Sequence, residues 1–245
     1  MLKKIGIAVL ALVIVLAGVV WYLFSNLDSY VKSAIEKYGT AAVQAPVGVG
    51  SVSLSLTSGE GTISGITIAN PSGYGSGNAV AVGAITVQID PSTVTGSGPI
   101  VIKLVRVSEP VVTYVVTQGG SNLQTIQRNV QDYASGGQSN NGPPASSSPQ
   151  RKEIIDDLYI DQGEVNATTP LLAGRMLKVP LPSIHLTDLG QASGGATAAQ
   201  IGAQILSAIT AKATQAGTKA ITSQGGAAAA AAIQGLGVGK IKSLF

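Results

Sequence analysis

The single histidine, His185 in the stretch SIHLTDLG, is the first place to look for chemistry in this 245-residue chain. A Ser-His-Asp triad is arithmetically available because serines are many, but no nucleophile elbow surrounds any of them. His185 therefore reads as a residue of an edge strand. With one histidine and no cysteine, neither a histidine metal cluster, a thiolate zinc site nor a cysteine nucleophile can be assembled. The densest carboxylate group, Glu153, Asp156, Asp157, Asp161 and Glu164, has residue types suited to calcium or to acid/base work. Its spacing is not that of an EF-hand, and a solvated strand face with a hairpin turn accounts for it.

The glycine-rich loops invite a phosphate reading, which requires a strand, a glycine turn and then a helix whose N-terminus meets the anion. NPSGYGSGN, from Asn70, has the glycines but neither G-x-G-x-x-G nor a Walker lysine, and AVAVGAITVQID after it reads as another strand. It is a turn. In GLGVGKIKS the Walker glycine position holds Gln234, and no Ser or Thr follows Lys240. Asn166-Ala167-Thr168 is a glycosylation sequon, meaningful only in a eukaryotic secretory lumen. The expectation is a protein that is not an enzyme and takes no cofactor or metal.

The elements around these residues begin with an uncharged run of 20 residues, Ile5 to Phe24, preceded by Lys3 and Lys4 and ending on aromatics. At about 1.5 Å per residue such a run spans about 30 Å of hydrocarbon. Trp21 and Tyr22 suit the interface, and the bulky residues there leave no small-x-small cleavage site. We expect an uncleaved single-pass anchor over residues 1–26, with the N-terminus cytoplasmic and the remainder outside. The net charge of +3 and its scattered basic residues exclude the concentrated field that nucleic acid binding requires.

Leu27, Tyr30, Val31, Ala34, Ile35 and Tyr38 recur at helical spacing and predict a short amphipathic helix ended by Gly39. The period then becomes two. Val52, Leu54 and Leu56 alternate with serines, and Ile85, Val87 and Ile89 with Thr86, Gln88 and Asp90. Ile63 is out of phase with Ile66 and Ile68, which predicts a β-bulge at Ser64-Gly65. Strands are also expected at Ile100 to Val107 and Val111 to Thr117, and a helix with Leu123, Ile126, Val130 and Tyr133 on one face. Residues 134–150 are composed of Ala, Ser, Gly, Gln, Asn and Pro and predict a loop.

In the next block Leu158 and Ile160 lie opposite Asp157, Tyr159 and Asp161, DQGE offers hairpin chemistry before Val165, and LKVPLPSIHLTDLG suits a proline-punctuated edge. Ala198, Ile201, Ile205, Ala208 and Ile209 form a helical stripe that is expected to end near Lys212 and Gly217.

VKSAIEKYGTAAVQAPVGVGSVSLSLTSGEGTISGITIANPSGY, then GAITVQIDPSTVTGSGPIVIKLVRVSEPVVTYV, NLQTIQRNV and IDDLYIDQGEVNATTPLLAGRMLKVPLPSIHLTDLG, in that order, resemble the short members of the AsmA-like proteins of the Gram-negative envelope. The resemblance implies an inner-membrane anchor, a periplasmic β-rich body shaped as a curved groove, and a role in lipid handling or outer-membrane biogenesis. The fold expected is mainly β with helices: an N-terminal transmembrane helix, a curved antiparallel β-sheet forming a groove, and a C-terminal amphipathic helix. The corresponding regions are 1–26 as the anchor, 27–118 as helix plus β-rich region, 119–152 as helix and loop, 153–190 as strands completing the sheet, and 191–245 as an Ala/Gly-rich helical region. About eight strands at about 4.8 Å make a sheet of roughly 40 Å, too short for one copy to bridge two membranes.

On the groove reading, lipid lies on the inward aliphatics Val52, Leu54, Leu56, Ile66, Ile68, Ile85, Val87 and Ile89. Alternation alone equally allows that face to pack on helices or a second sheet as an ordinary core. A non-lipid assembly subunit with a tethered β-sandwich is the alternative, and NPSG after an alternating strand is also similar to the desiccation-related LEA-type sandwich. The partners expected are membrane lipid and the inner membrane, with a homo-oligomer or an envelope protein as the scaffold's partner.

Overall fold

The computed structural model describes residues 26–55, 57–117, 119–135, 151–168 and 176–235, the last twelve of these by backbone alone. The expected anchor over Ile5 to Phe24, Leu56 and the 136–150 loop lie outside those residues. Among the described residues no helix is long and apolar enough to cross a membrane.

Helix α1 (Leu27–Val43) leads into β1 (Val47–Gly48), β2 (Ser51–Ser55), β3 (Glu60–Ala69) and β4 (Asn78–Ile89). A single turn, α2 (Pro91–Val94), precedes β5 (Ile100–Ser108), β6 (Val111–Thr117) and the short β7 (Gly120–Ser121). Then follow α3 (Asn122–Ala134), β8 (Glu153–Asp161), β9 (Glu164–Thr168), β10 (Leu177–Pro180), β11 (Ile184–Leu189) and α4 (Ala198–Gly235). Helix α1 does not end at Gly39 as its sequence suggests. It runs on to Val43, where Gln44 in the left-handed region (φ 54°) donates its N–H to the Thr40 carbonyl.

The strands form one mixed sheet of 11 strands rather than an antiparallel one. β5 with β8, and β6 with β9, are parallel; the other pairs are antiparallel. The parallel pairs follow from connectivity, since the chain leaves β6, crosses through α3 and returns beside the strand pair it left.

Most of these strands are halves of longer ones creased at a common level. β5 and β6 both lie on the same edge of β4, with Ala84 opposite Ser108 and Ala81 opposite Val111. The register with β8 and β9 continues without a slip from Ser108–Asp161 to Val111–Glu164, and that with β11 and β10 from Ile160–Ile184 to Val165–Val179. At the crease stand Gly50, Gly65, Gly83, Glu109-Pro110, Gln162-Gly163 and Leu181-Pro182. Gly65, Glu109 and Gln162 have φ of 66°, 51° and 56°. Backbone bonds hold the corner: Glu109 N–H to Asp161 O at 3.1 Å, Glu164 N–H to Pro110 O at 2.8 Å and Leu181 N–H to Gly163 O at 2.8 Å.

Two expectations change here. DQGE is no hairpin, because β8 and β9 pair with different strands and Gln162-Gly163 is where one long strand turns the corner. The phase change at Gly65 is real, with Ile63 opposite Ile85 and Ile66 opposite Val82, but it is not a bulge in one strand. Gly83 faces Gly65 and makes the same shift in β4, so their register is kept; the irregularity in this pair falls at Ile68/Ala69.

Candidate functional site

Above and below the crease the pairings place aliphatic residues in rows on one face of the sheet. Below it, one row runs Val52, Ile63, Ile85, Val107, Ile160, Ile184, and a second runs Leu54, Gly61, Val87, Val105, Leu158, Leu186. Above it, Val47, Ile68, Val80, Val112, Val165 and Val179 line up, and Tyr114, Ala167 and Leu177 beside them. Apart from Val52, the buried members of these rows belong to one contiguous core, so the crease shifts the phase of burial without dividing the interior.

Of the residues singled out from sequence, Val52 is buried, while Ile66, Ile68, Ile85 and Val87 are partly buried and pack against the core. Leu54 and Ile89 are also partly buried. Leu54 and Val87 lean over Gly61, where an added Cβ would lie 2.7 Å from Leu54 Cδ2 and 2.8 Å from Val87 Cγ2. Ile89 sits past a register shift and faces Ile102. The central residues Val105, Val107, Leu158 and Ile160 are not among the lipid-facing candidates, although IVIKLVRV and DLYI alternate in the same way; each is at most 8% exposed.

Three helices cover this face. α3 touches both α1 and α4, and the main helix contacts fall on β1 and β2 for α1, on β6 and β7 for α3, and on β6, β9, β10 and β11 for α4. The helix backbones come less close to β3, β4, β5 and β8, although Val105, Val107, Leu158 and Ile160 there share one core with residues of α3 and α4. α3 starts with the capping box of Ser121 and Gln124 and buries the face predicted for it, Leu123, Ile126, Val130 and Tyr133. Its first residue, Asn122, is fully buried and fully bonded. Its amide donates to Asn70 Oδ1 at 2.8 Å and Thr113 O at 2.7 Å, and its carbonyl oxygen accepts from Val115 N and Leu123 N. Tyr74 Oη lies 2.9 Å from Thr125 Oγ1. The glycine-rich NPSG turn is thereby latched to α3, which answers for its residues without a phosphate.

α4 packs beyond the end expected for it. Gly217 lies tight against the sheet: an added Cβ would stand 2.6 Å from Tyr114 Cδ1 and 3.3 Å from Ala167 Cβ, and Ile221 beyond it is fully buried. Around that contact the hydroxyls of Tyr114, Thr210, Thr214 and Thr218 are buried without a hydrogen-bond partner. Burial pushes the Tyr114 phenol above its ordinary pKa, and the nearby hydroxyls of Thr218, Thr214 and Ser121 act in the other direction without reaching bonding geometry. An unpaired buried hydroxyl costs about 1–3 kcal/mol, against about 1.5–3 kcal/mol gained by burying an aliphatic side chain. The three threonines therefore weaken the docking that Ile201, Ala213 and Ile221 provide. Along the outer seam of α4 a cavity of about 430 Å³ opens, lined by Met176, Leu177, Lys178, Val179, Ala220 and Ser223.

The opposite face of the sheet is polar. His185 is stacked on Tyr159 with centroids 4.2 Å apart, and Arg106 stands 5.2 Å from that ring. The three are cross-strand neighbours on β11, β8 and β5. His185 Nε2 meets Asp157 Oδ1 at 2.7 Å and Arg106 Nη1 meets Asp161 Oδ2 at 3.3 Å. The carboxylates are thus dispersed: Glu164 pairs with Lys178 at 3.2 Å, and Glu153 is half-buried, its pKa raised by that burial. Among the described residues no three potential metal ligands are grouped. No family model, curated protein or solved structure matches the chain.

Proposed function

We propose that this chain is a membrane-anchored periplasmic protein whose creased sheet holds lipid on its apolar face, in the service of cell-envelope and outer-membrane biogenesis. The observation that carries the reading is the strip of partly exposed aliphatics on β3 and β4, Ile66, Ile68, Ile85 and Val87, packed against the core yet away from the closest helix approaches, with Ile63 in the same rows and Leu54 at its α1 flank. A surface of this kind gives acyl chains an apolar bed with no polar group to desolvate. The apolar run at Ile5 to Phe24 and the similarity to AsmA-like proteins supply the membrane and the envelope in this reading.

Native mass spectrometry of the full chain after gentle detergent extraction tests it. Phospholipid should remain bound, and Leu54→Asp should remove it while circular dichroism stays unchanged. A body that carries no lipid, together with lipid binding unaltered by Leu54→Asp, sinks the reading. The alternative, a tethered scaffold, draws support from the deep burial of Val105, Val107, Leu158 and Ile160 in the same face. It predicts concentration-dependent self-association of lipid-free protein.

A further inference from the structure

We propose that α4 is a hinged lid, swinging off the sheet to admit lipid to the upper half of the apolar face; this rests on the lipid reading above. Thr210, Thr214 and Thr218, four residues apart, turn one stripe of α4 inward, the last two beside Tyr114, and the hydroxyls of all four residues are buried and unpartnered. One turn further, Thr222 shows the bond they forgo: its hydroxyl donates to the carbonyls of Thr218 and Lys219 at 3.0 Å. In the docked helix the hydroxyls of the inner stripe stay out of bonding geometry, and lifting the helix opens them to water.

The rest of the seam agrees. The ion pairs among the described residues, Lys103–Asp90, Arg106–Asp161, Lys178–Glu164 and His185–Asp157, leave α4 out. An open cavity is lined by Ala220 and Ser223 of α4 on one side and by Leu177, Lys178 and Val179 of β10 on the other. The base of the helix is fixed, because Ala196 and Glu153 exchange backbone bonds of 2.8 and 3.0 Å, so a swing turns on Thr197, between that anchor and the first helical residue Ala198. Lifting α4 about that base uncovers Val112, Tyr114, Val165 and Ala167, which adjoin the strip at Ile68 and Val80. The open strip and the covered face then become one surface.

The test uses the full chain in detergent. It has no cysteine, so Gln127→Cys with Ser207→Cys, at side chains that meet at 3.2 Å, joins α3 to α4 through a short reducible bis-methanethiosulfonate linker without side reaction. Amides of α4 from 205 to 221 should exchange with deuterium well before those of α3, and Thr214→Val should slow that exchange by about tenfold by removing a hydroxyl the docked state leaves unpaired. Uptake of pyrene-labelled phosphatidylglycerol from phosphatidylethanolamine/phosphatidylglycerol vesicles should fall on linking and return on reduction. Exchange of α4 in step with α3, faster exchange in Thr214→Val, or undiminished uptake by the linked protein each overturns the lid. Opening of α4 with no lipid taken up by any form overturns the lipid reading instead and leaves the detachable helix standing.

Discussion

The Glu36 carboxylate on α1 accepts the backbone N–H of Val49, in the edge segment between β1 and β2, at 3.0 Å. It is one rung of four. Asp28 Oδ1 accepts from Leu54 N at 3.1 Å, Lys32 Nζ donates to Gly50 O at 3.1 Å, and Thr40 Oγ1 accepts from Val47 N at 3.0 Å. Residues four apart on a helix share one face, so a single stripe of α1 meets the free backbone groups of the edge where a further strand would pair. This blocks edge-to-edge association along β1–β2 and fixes α1 along the flank of the apolar strip.

Removing two rungs should unseat the helix. In Asp28→Ala/Glu36→Ala we expect a loss of about 2–4 kcal/mol, two charge-assisted bonds in partly buried positions. Urea denaturation gives the loss, and sedimentation velocity should show new self-association through the freed edge. An unchanged midpoint would mean the rungs carry no net stability.

Gly217→Ala separates helix propensity from tertiary fit. In an exposed helix the change stabilises by about 1 kcal/mol. Here the new methyl would meet Tyr114 Cδ1 at 2.6 Å, so we expect a net loss of about 1–3 kcal/mol. A rise in melting temperature would show that α4 does not rest on Tyr114.

Asn122→Ala leaves Val115 N, Thr113 O and Asn70 without their partner in a buried place. We expect a loss of about 2–4 kcal/mol and faster amide exchange in the 70–78 loop. Loss of stability without loosening of the loop would contradict the latch described for it.

Burial raises the Glu153 pKa in the folded state. The native form then binds more protons than the unfolded chain across the window between the ordinary glutamate value and the raised one. Stability should accordingly fall as pH rises through that window. Glu153→Gln should flatten this slope and be the more stable form at neutral pH, which denaturant midpoints from pH 4 to about 7 would show.

Local order was legible because each part of it is written in neighbouring residues. Alternation placed Val52, Leu54, Ile85 and Val87 on one face, helical spacing placed Leu123, Ile126, Val130 and Tyr133, and the phase break between Ile63 and Ile66 marked the crease. The candidate lipid-facing residues were readable on those terms, as was the proline-bearing edge that became β10 and β11. The bend at Gln162-Gly163 was misread because the same turn residues serve a hairpin or a corner, and only the neighbouring strand distinguishes them.

Amino-acid order alone determined which positions are apolar, where the period changes, and that no cysteine or histidine cluster is available for chemistry. Tertiary structure alone decided that β5 lies beside β8 in parallel, that six crease sites fall on one line, that the stripe Asp28, Lys32, Glu36 and Thr40 seals an edge, and that three threonine hydroxyls of α4 are buried. The physical reason is range. Propensity and periodicity act over a few residues, whereas strand partners and the packing of a helix on a sheet are set by contacts between segments tens of residues apart, where one face must find another of matching shape.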